Sequence, residues 1–186
     1  MKAWGLGVLF LLGVWQLGEG TWIYSKALLA QHLLLQAWDR TKQGESQVRP
    51  WGWADTWPLA RMQVKRLGVD QIILAGANGR TLAFAPGHVS GTSSPGHAGN
   101  SVITGHRDTH FRFLQELEKG DQIELGLPDG RVARYAVLRM RVHHQSESWL
   151  MGDQPGQQLT LITCYPFDTP IPGGPLRYVV TAQAML

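Results

Sequence analysis

Residues Gln122–Leu138 read QIELGLPDGRVARYAVL and give the clearest indication of the fold. Two stretches that mix apolar and polar residues flank Pro128-Asp129-Gly130. This is a strong turn sequence because Pro presets the first turn dihedral and Gly accepts a positive φ. The pattern predicts a β-hairpin. A second hairpin is predicted at Asn78-Gly79, which separates QIILAGA from RTLAFA.

Short strand candidates of the same kind continue in both directions from this hairpin. Only one short helical turn is predicted among them, at Thr109–Leu117, where Phe113, Leu114 and Leu117 would share one face. Because no repeating helix separates the strands, the pattern predicts an all-β barrel or sandwich. The eight predicted strands are Met62–Leu67, Gln71–Ala75, Thr81–Phe84, Ser101–His106, Gln122–Leu127, Val132–His143, Leu159–Thr163 and Leu176–Ala184.

An uncharged apolar run, Ala3–Gly18, lies near the start of the chain. It is slightly shorter than the roughly 20 residues that span a bilayer core, although residues 21–24 extend it. Lys2 precedes the run and Glu19 follows it, so the positive-inside rule predicts a cytoplasmic N-terminus and an exported remainder. The sequence therefore predicts a retained single-pass membrane helix. A cleaved signal peptide and a helix packed in the protein's own core are the alternatives.

These features predict three parts of the chain. Residues 1–38 hold the membrane anchor and the apolar helix that follows it. Residues 39–61 are rich in Gly, Pro, Trp and polar groups, which is typical of a connector. Residues 62–186 form the β domain, which would carry any catalytic site.

Composition and residue spacing argue against nucleic-acid binding, an internal disulfide and metal binding. The chain has 17 Lys and Arg against 14 Asp and Glu, with no basic cluster, so no nucleic-acid partner is predicted. Its one cysteine excludes an internal disulfide and a Cys-rich metal site. His106 and His110 are four residues apart, as zinc ligands on a helix can be, but this segment leaves a strand. The sequence therefore predicts no metal and no cofactor.

The single cysteine, Cys164, ends the apolar strand Leu159–Thr163. A lone cysteine is usually a small buried hydrophobe. However, a strand end followed by a loop rich in Pro and Gly is a typical place for a catalytic residue. A reactive thiol needs a neighbouring cation or base. Two residues at strand ends could supply these: His106 as general acid and base, and Arg177 as donor to a developing oxyanion.

These motifs together resemble those of a known family. TLITC (Thr160–Cys164), with Arg177 thirteen positions later and TGH (Thr104–His106) upstream, is similar to the TLxTC signature of the sortases with its downstream Arg and upstream His. The stretch GHRDTHFRFLQEL (Gly105–Leu117) resembles the family's sequence after the catalytic His. The resemblance runs from about Val64 to the C-terminus and implies an eight-stranded sortase-type β-barrel with short helices.

The resemblance also implies a reaction. Cys164 would attack the Thr carbonyl of an LPxTG-like sorting signal on a secreted protein and form a thioacyl intermediate. An amine acceptor, either a peptidoglycan precursor or a protein lysine, would then take the acyl group, or water would hydrolyse it. His106 would be the acid and base, Arg177 would bind the carbonyl or oxyanion, and Thr163 would contact the substrate.

The connector and GHRDTHF are most similar to the small proteobacterial, marine-type sortases, which act on one dedicated target protein. That subclass implies a catalytic domain in the periplasm, anchored in the inner membrane. Two other functions stay open. One is an L,D-transpeptidase-like cysteine acyltransferase, although its Cys lies in an SHGC-type motif with Arg close behind. The other is a non-catalytic tethered binding module with a buried structural Cys164.

Overall fold

The computed structural model describes residues 2–152, 154–169 and 173–185. In this described part of the chain, a long helix precedes eight strands that close into one barrel, in the order β1-β2-β3-β4-β7-β8-β6-β5. The strands are β1 (Pro58–Val64), β2 (Val69–Ala75), β3 (Gly87–His88), β4 (Gly99–Thr104), β5 (Gln122–Gly126), β6 (Val132–His144), β7 (Gln157–Cys164) and β8 (Leu176–Ala184). The predicted all-β fold and eight-stranded barrel with short helices are confirmed.

The hairpin predicted at Pro128-Asp129-Gly130 is confirmed. It joins β5 to β6 in an antiparallel pair, and the amide of Leu127 donates to the carbonyl of Arg131 at 2.8 Å. Gly130 has a φ of 84°, the conformation that favours glycine. The carboxylate of Asp129 accepts a hydrogen bond from the amide of Arg131 at 3.0 Å. The turn chemistry read from the sequence therefore sets this hairpin's geometry.

The strand predicted at Thr81–Phe84 and the hairpin at Asn78-Gly79 are wrong. Asn78 instead caps a short helix, α2 (Gly79–Leu82), and its Oδ1 accepts hydrogen bonds from the amides of Arg80 and Thr81, both at 3.0 Å. Asn is among the preferred residues at a helix N-cap, so local capping overrides the hairpin signal. The chain then returns as β3, which pairs in parallel with β2.

The short helical turn predicted at Thr109–Leu117 is present as a 3₁₀ helix at Arg112–Glu116. Phe113, Leu114 and Leu117 are buried, and they join the cluster of apolar side chains that fills the barrel. The turn therefore closes one part of the core between β4 and β5. The largest fully buried side chains of the barrel include Tyr135, Phe111, Met62, Ile73 and Ile103.

Helix α1 (Lys2–Lys42) packs its C-terminal part on the outside of the barrel. Leu34 and Trp38 are buried against Ile72 and Leu74 of β2. The helix thus runs past residue 38, and β1 begins within the segment predicted as a connector. This packing fixes α1 to the wall of the barrel that contains β2.

The predicted membrane anchor, Ala3–Gly18, lies largely outside the side chains that the structure describes. Within α1 these are the side chains at positions 13, 15, 16, 21 and 22, and from 24 onward. Among the described residues, none of the helices has a stretch long and apolar enough to cross a membrane. The anchor stays a prediction.

Candidate active site

Cys164 and Arg177 lie directly opposite each other at the adjoining ends of β7 and β8. The two strands are antiparallel, and their register pairs these two residues. Directly opposed residues of an antiparallel pair point to the same face, with Cβ atoms about 5 Å apart. The register continues into β6, where His143 is opposite Arg177. Strand pairing thus brings together a thiol and a guanidinium that are thirteen residues apart in the chain.

His106 reaches the same end of the barrel because β4 and β7 run parallel. The register pairs Thr104 with Ile162, and the amide of Gly105 donates to the carbonyl of Ile162 at 3.3 Å. His106 therefore follows the end of β4 where Cys164 ends β7. The imidazole is exposed and the thiol is half-buried. The three residues predicted to be catalytic thus lie at one end of three adjacent strands, and their catalytic roles stay predictions.

The backbone that precedes His106 is held from two sides. A side chain at Gly105 would bring its Cβ to 2.9 Å from the Phe111 ring, so only glycine fits this close approach. On the other side, the hydroxyl of Thr163 donates to the carbonyl of Gly105 at 2.7 Å. Thr163 is only 2% exposed, so the contact its hydroxyl makes is internal. Its predicted contact with substrate stays a prediction.

The Arg177 side chain lines a groove of about 330 Å³. Its Nη1 donates to the carbonyls of Gly174 at 2.7 Å and Leu176 at 2.8 Å, and its Nη2 donates to Oε1 of Gln145 at 2.8 Å. These bonds orient the guanidinium fork. The groove is lined by His144, Gln145, Glu147, Ser148, Leu150, Met151, Ile162, Arg177 and Val179.

The outer wall of this groove is tied to the strands that carry the site. The wall is a 3₁₀ turn at Ser148–Met151. Nδ2 of Asn100, on β4, donates to the carbonyls of Leu150 at 3.0 Å and Gly152 at 3.2 Å. The hydroxyl of Thr160, on β7, donates to Oδ1 of Asn100 at 2.7 Å. Because Asn100 is 1% exposed, its bonds are shielded from water and keep the groove wall in register with β4 and β7.

Sequence reasoning missed Arg107, the residue after His106. The structure leaves it 4% exposed and gives it four side-chain hydrogen bonds. Its Nε and Nη2 donate to the carboxylate of Asp108 at 2.7 and 2.8 Å. Its Nη1 donates to the carbonyl of Pro166, and its Nη2 donates to that of Thr169 at 3.0 Å. An almost fully buried arginine is uncommon. Its burial depends on the loop after Cys164, so no local sequence signal could have revealed it.

The electrostatic surroundings of His106 and Cys164 shift the pKa values of two neighbouring residues, Arg107 and His110. Hydrogen bonds to Asp108 are the first cause of a raised pKa of Arg107, and the charges of Asp108, Cys164 and Asp168 add to it. Burial lowers the pKa of His110, and the nearby His106 lowers it further. Within the described part of the chain, no three His, Cys, Asp or Glu side chains form a group that could hold a metal ion.

Comparison with known proteins gives consistent matches. The sortase domain family matches residues 62–185. Sortase D of Bacillus subtilis (strain 168) is 31% identical over 120 residues, which are 64% of this chain and 60% of that protein. The chain thus spans less than two thirds of this relative's length.

Solved sortase structures share the barrel. A Clostridium perfringens sortase D5 transpeptidase superimposes with a TM-score of 0.66 at 22% identity, covering 84% of this chain and 96% of the other, a similarity of fold alone. Sortase C-1 from Actinomyces oris has a TM-score of 0.63 at 31% identity, covering 69% and 75% of the two chains. The family match takes in most of the chain and includes His106, Cys164 and Arg177, so the chain belongs to the sortase family.

Proposed function

We propose that this protein is a cysteine transpeptidase that cuts a sorting signal and transfers its acyl part to an amine. The observation that carries the proposal is the alignment of the ends of β4, β7 and β8, with Cys164 opposite Arg177 and His106 on the neighbouring strand end. Together these groups can carry out acyl transfer through a cysteine, with the thiol as nucleophile, the imidazole as acid and base, and the guanidinium as donor to the oxyanion.

The proposed reaction has two halves. The Cys164 thiolate attacks the scissile carbonyl, and the guanidinium of Arg177 turns from its present acceptors to the oxyanion that forms. His106 gives a proton to the departing amine, which leaves a thioacyl ester on Cys164. The acceptor amine then attacks this ester, loses its proton to His106, and releases the Cys164 thiolate. Water in place of the amine gives hydrolysis.

The proposed acyl donor is a secreted or surface protein with an LPxTG-like signal. Family membership supports a sorting signal as substrate, and the groove beside Arg177 offers apolar side chains to an extended apolar segment, including those of Leu150, Ile162 and Val179. The proposed acceptor is an amine of a peptidoglycan precursor or of a protein lysine.

The proposed location is the periplasmic side of the inner membrane, with Ala3–Gly18 as the anchor and a dedicated target protein as in the marine-type subclass. The anchor and its orientation rest on the apolar run of Ala3–Gly18 and on the order of Lys2 and Glu19 around it, and the periplasm and the dedicated target rest on the resemblance of the connector and GHRDTHF to that subclass. Protease protection of a tagged N-terminus in spheroplasts tests the orientation, because a cytoplasmic N-terminus stays protected while the barrel is cleaved or released.

The activity is tested with a quenched fluorogenic peptide that contains an LPxTG-like motif, with and without an added amine. We expect cleavage by the full chain, a transfer product with the amine, and a mass increase on Cys164 that hydroxylamine removes. Since Cys164 is the only cysteine, any thiol adduct has one possible site. Cys164→Ala should abolish all three signals.

Two results would contradict the proposal. The first is cleavage that persists in Cys164→Ala. The second is a folded wild-type protein whose Cys164 does not react with a methanethiosulfonate, which would favour a non-catalytic binding module. Acyl transfer from a diaminopimelate-containing stem peptide, without cleavage of the LPxTG-like peptide, would instead identify an L,D-transpeptidase activity.

A further inference from the structure

The two loops that leave the ends of β4 and β7 are joined by one buried side chain. Arg107 belongs to the loop after His106, and its guanidinium donates to the carbonyls of Pro166 and Thr169 in the loop after Cys164. We propose that Arg107 is a positioning residue, which fixes the Cys164 loop to the His106 loop so that the thiol and the imidazole keep their relative positions. The inference rests on the proposed transpeptidase function and adds a residue to its machinery.

The shape of the guanidinium suits this role. Arg107 uses Nε and Nη2 for a two-point contact with Asp108 and directs Nη1 and Nη2 to the two loop carbonyls. A planar fork can satisfy a carboxylate and two carbonyls at once because its donors are held at fixed angles. The ammonium of a lysine is a single point and cannot make the same two-sided contact. The residue type is therefore matched to the task of bridging two loops.

Aromatic packing also holds the start of the Cys164 loop. Tyr165 stacks on Tyr178 of β8 with ring centroids 6.2 Å apart, and Phe167 meets Tyr178 edge-on at 5.2 Å. The amide of Tyr165 also donates to the carbonyl of Leu176 at 3.1 Å. These contacts bind the loop to β8, the strand of Arg177. Arg107 supplies the link to β4, the strand that leads to His106, and so connects all three strand ends.

Arg107 also supplies charge close to the thiol. Negative groups of both loops, Asp108 and Asp168, and the Cys164 thiolate contribute to the raised pKa of Arg107, after its hydrogen bonds to Asp108. Other charged or titratable groups that the structure describes at this end include His106, His110 and Arg112 after β4, Tyr165 on the Cys164 loop, Arg177 and Tyr178 on β8, and His143, His144 and Glu147 at the end of β6. Arg107 therefore places a positive charge among these negative groups.

The test compares Arg107→Gln and Arg107→Lys with Arg66→Gln in the full chain. Arg66 is a matched control because its Nε and Nη2 bind the carboxylate of Asp121 and its Nη2 binds the carbonyl of Glu116. Those bonds lie in the connections beside β1, β2 and β5, and the Arg66 side chain is 45% exposed against 4% for Arg107, so the control matches the bonding pattern and not the burial. The measurements are kcat and KM for the LPxTG-like fluorogenic peptide, the pH profile of Cys164 alkylation by iodoacetamide, and amide hydrogen exchange of residues 165–169.

We expect Arg107→Gln to lower kcat about 10- to 100-fold, as a small misplacement of reacting groups does, with KM nearly unchanged. Its alkylation profile should move to higher pH, and exchange at residues 165–169 should become faster. Arg107→Lys, which keeps the charge but not the fork, should restore the alkylation profile and leave exchange fast. Arg66→Gln should change neither kcat nor the profile.

The outcomes separate this inference from the proposed function. If Arg107→Gln matches Arg66→Gln in kcat, in alkylation and in exchange, Arg107 positions nothing and the inference is wrong. If the wild type cleaves no LPxTG-like peptide, the proposed substrate is wrong. The alkylation and exchange data then still show whether Arg107 positions the two loops. If Arg107→Gln does not fold, Arg107→Lys and Asp108→Asn are compared with Arg66→Gln in its place. The inference would be wrong if residues 165–169 exchanged in both variants at the same rate as in the wild type.

Discussion

Two opposite walls of the barrel are stabilised in different ways. The wall of β4, β7 and β8 carries the candidate site and is held by buried polar contacts. The hydroxyls of Thr160 and Thr163 bind Asn100 and the carbonyl of Gly105, and Arg107 joins the loops beyond these strands. Each of these side chains is less than 5% exposed. Buried polar contacts of this kind fix position strictly because a lost partner leaves an unsatisfied group.

The wall of β1, β2 and β5 carries ion pairs near the surface, in addition to the apolar packing of α1 on β2. Arg61 binds Asp70 at 2.6 Å, with both side chains more than a third exposed, and Lys65 binds Glu124 at 3.0 Å. Exposed pairs contribute little because water and salt screen them. The difference teaches that the contacts which position the strand ends of the proposed site are buried, whereas these ion pairs on the opposite wall are exposed to solvent.

The largest effect is expected when the side chains proposed for catalysis are removed from the wall of β4, β7 and β8. We expect His106→Ala and Arg177→Ala each to lower turnover of the fluorogenic peptide by roughly three orders of magnitude, because proton transfer and oxyanion binding are lost. Both side chains are at least partly exposed, so the midpoint of thermal unfolding should change little. Full activity in either variant would break the assignment of the site to this wall.

Thr163→Val tests the buried contacts of the site wall. It keeps the shape of the side chain but leaves the carbonyl of Gly105 without its donor, so we expect a loss of about 1–3 kcal/mol in the free energy of unfolding. Turnover should also fall, since Gly105 precedes His106. Thr163→Ser keeps the hydroxyl and serves as the control. Equal behaviour of the two variants in urea unfolding would mean that the hydroxyl is not what holds this backbone.

A change of pH tests two buried histidines. Burial lowers the pKa of His88 and of His110 in the folded protein. Each therefore takes up its proton at a lower pH in the folded protein than in the unfolded chain, whose histidines titrate at about pH 6.5. Stability should be constant above that pH and fall as the pH drops through 6 and below, which urea unfolding at several pH values measures. A midpoint that does not change between pH 7.5 and 5.5 would contradict this expectation.

The smallest effect is expected on the wall opposite the site. Arg61→Gln removes the ion pair with Asp70. In the wild type, the hydrogen bonds from Arg61 lower the pKa of the Asp70 carboxyl. Because both partners are well exposed, the loss in stability should be at most about 1 kcal/mol and should shrink further in salt. Turnover should equal that of the wild type. A loss in the free energy of unfolding as large as that in Thr163→Val would show that the two walls are stabilised by contacts of similar strength.

Much of the fold could be predicted because its signals are local. The turn at Pro128-Asp129-Gly130 sets the β5–β6 hairpin, and strand β8 has the bounds predicted from its apolar residues. Prediction failed where two local signals competed. Asn78 suits both a hairpin turn and a helix cap, and in the structure its side chain caps α2. Strand β3 has two residues, too few for any periodicity to indicate it.

The sequence indicated which residues make up the candidate site, but it did not show how they are arranged in space. The motifs pointed to His106, Cys164 and Arg177, and all three lie at one end of the barrel. Their arrangement depends on the parallel pairing of β4 with β7 and on the register between β7 and β8, which no single segment encodes. Arg107 was missed for the same reason, because a charged residue in a polar stretch is ordinarily solvated.

The position of β8 has a consequence for how the protein is made. It is the last of the described strands in chain order, yet it lies between β7 and β6 and pairs with both. Until β8 pairs, β7 and β6 each keep an unpaired edge, and Cys164 lies on one of them. Folding intermediates without β8 therefore expose an open strand edge next to an oxidisable thiol, two features prone to aggregation and damage.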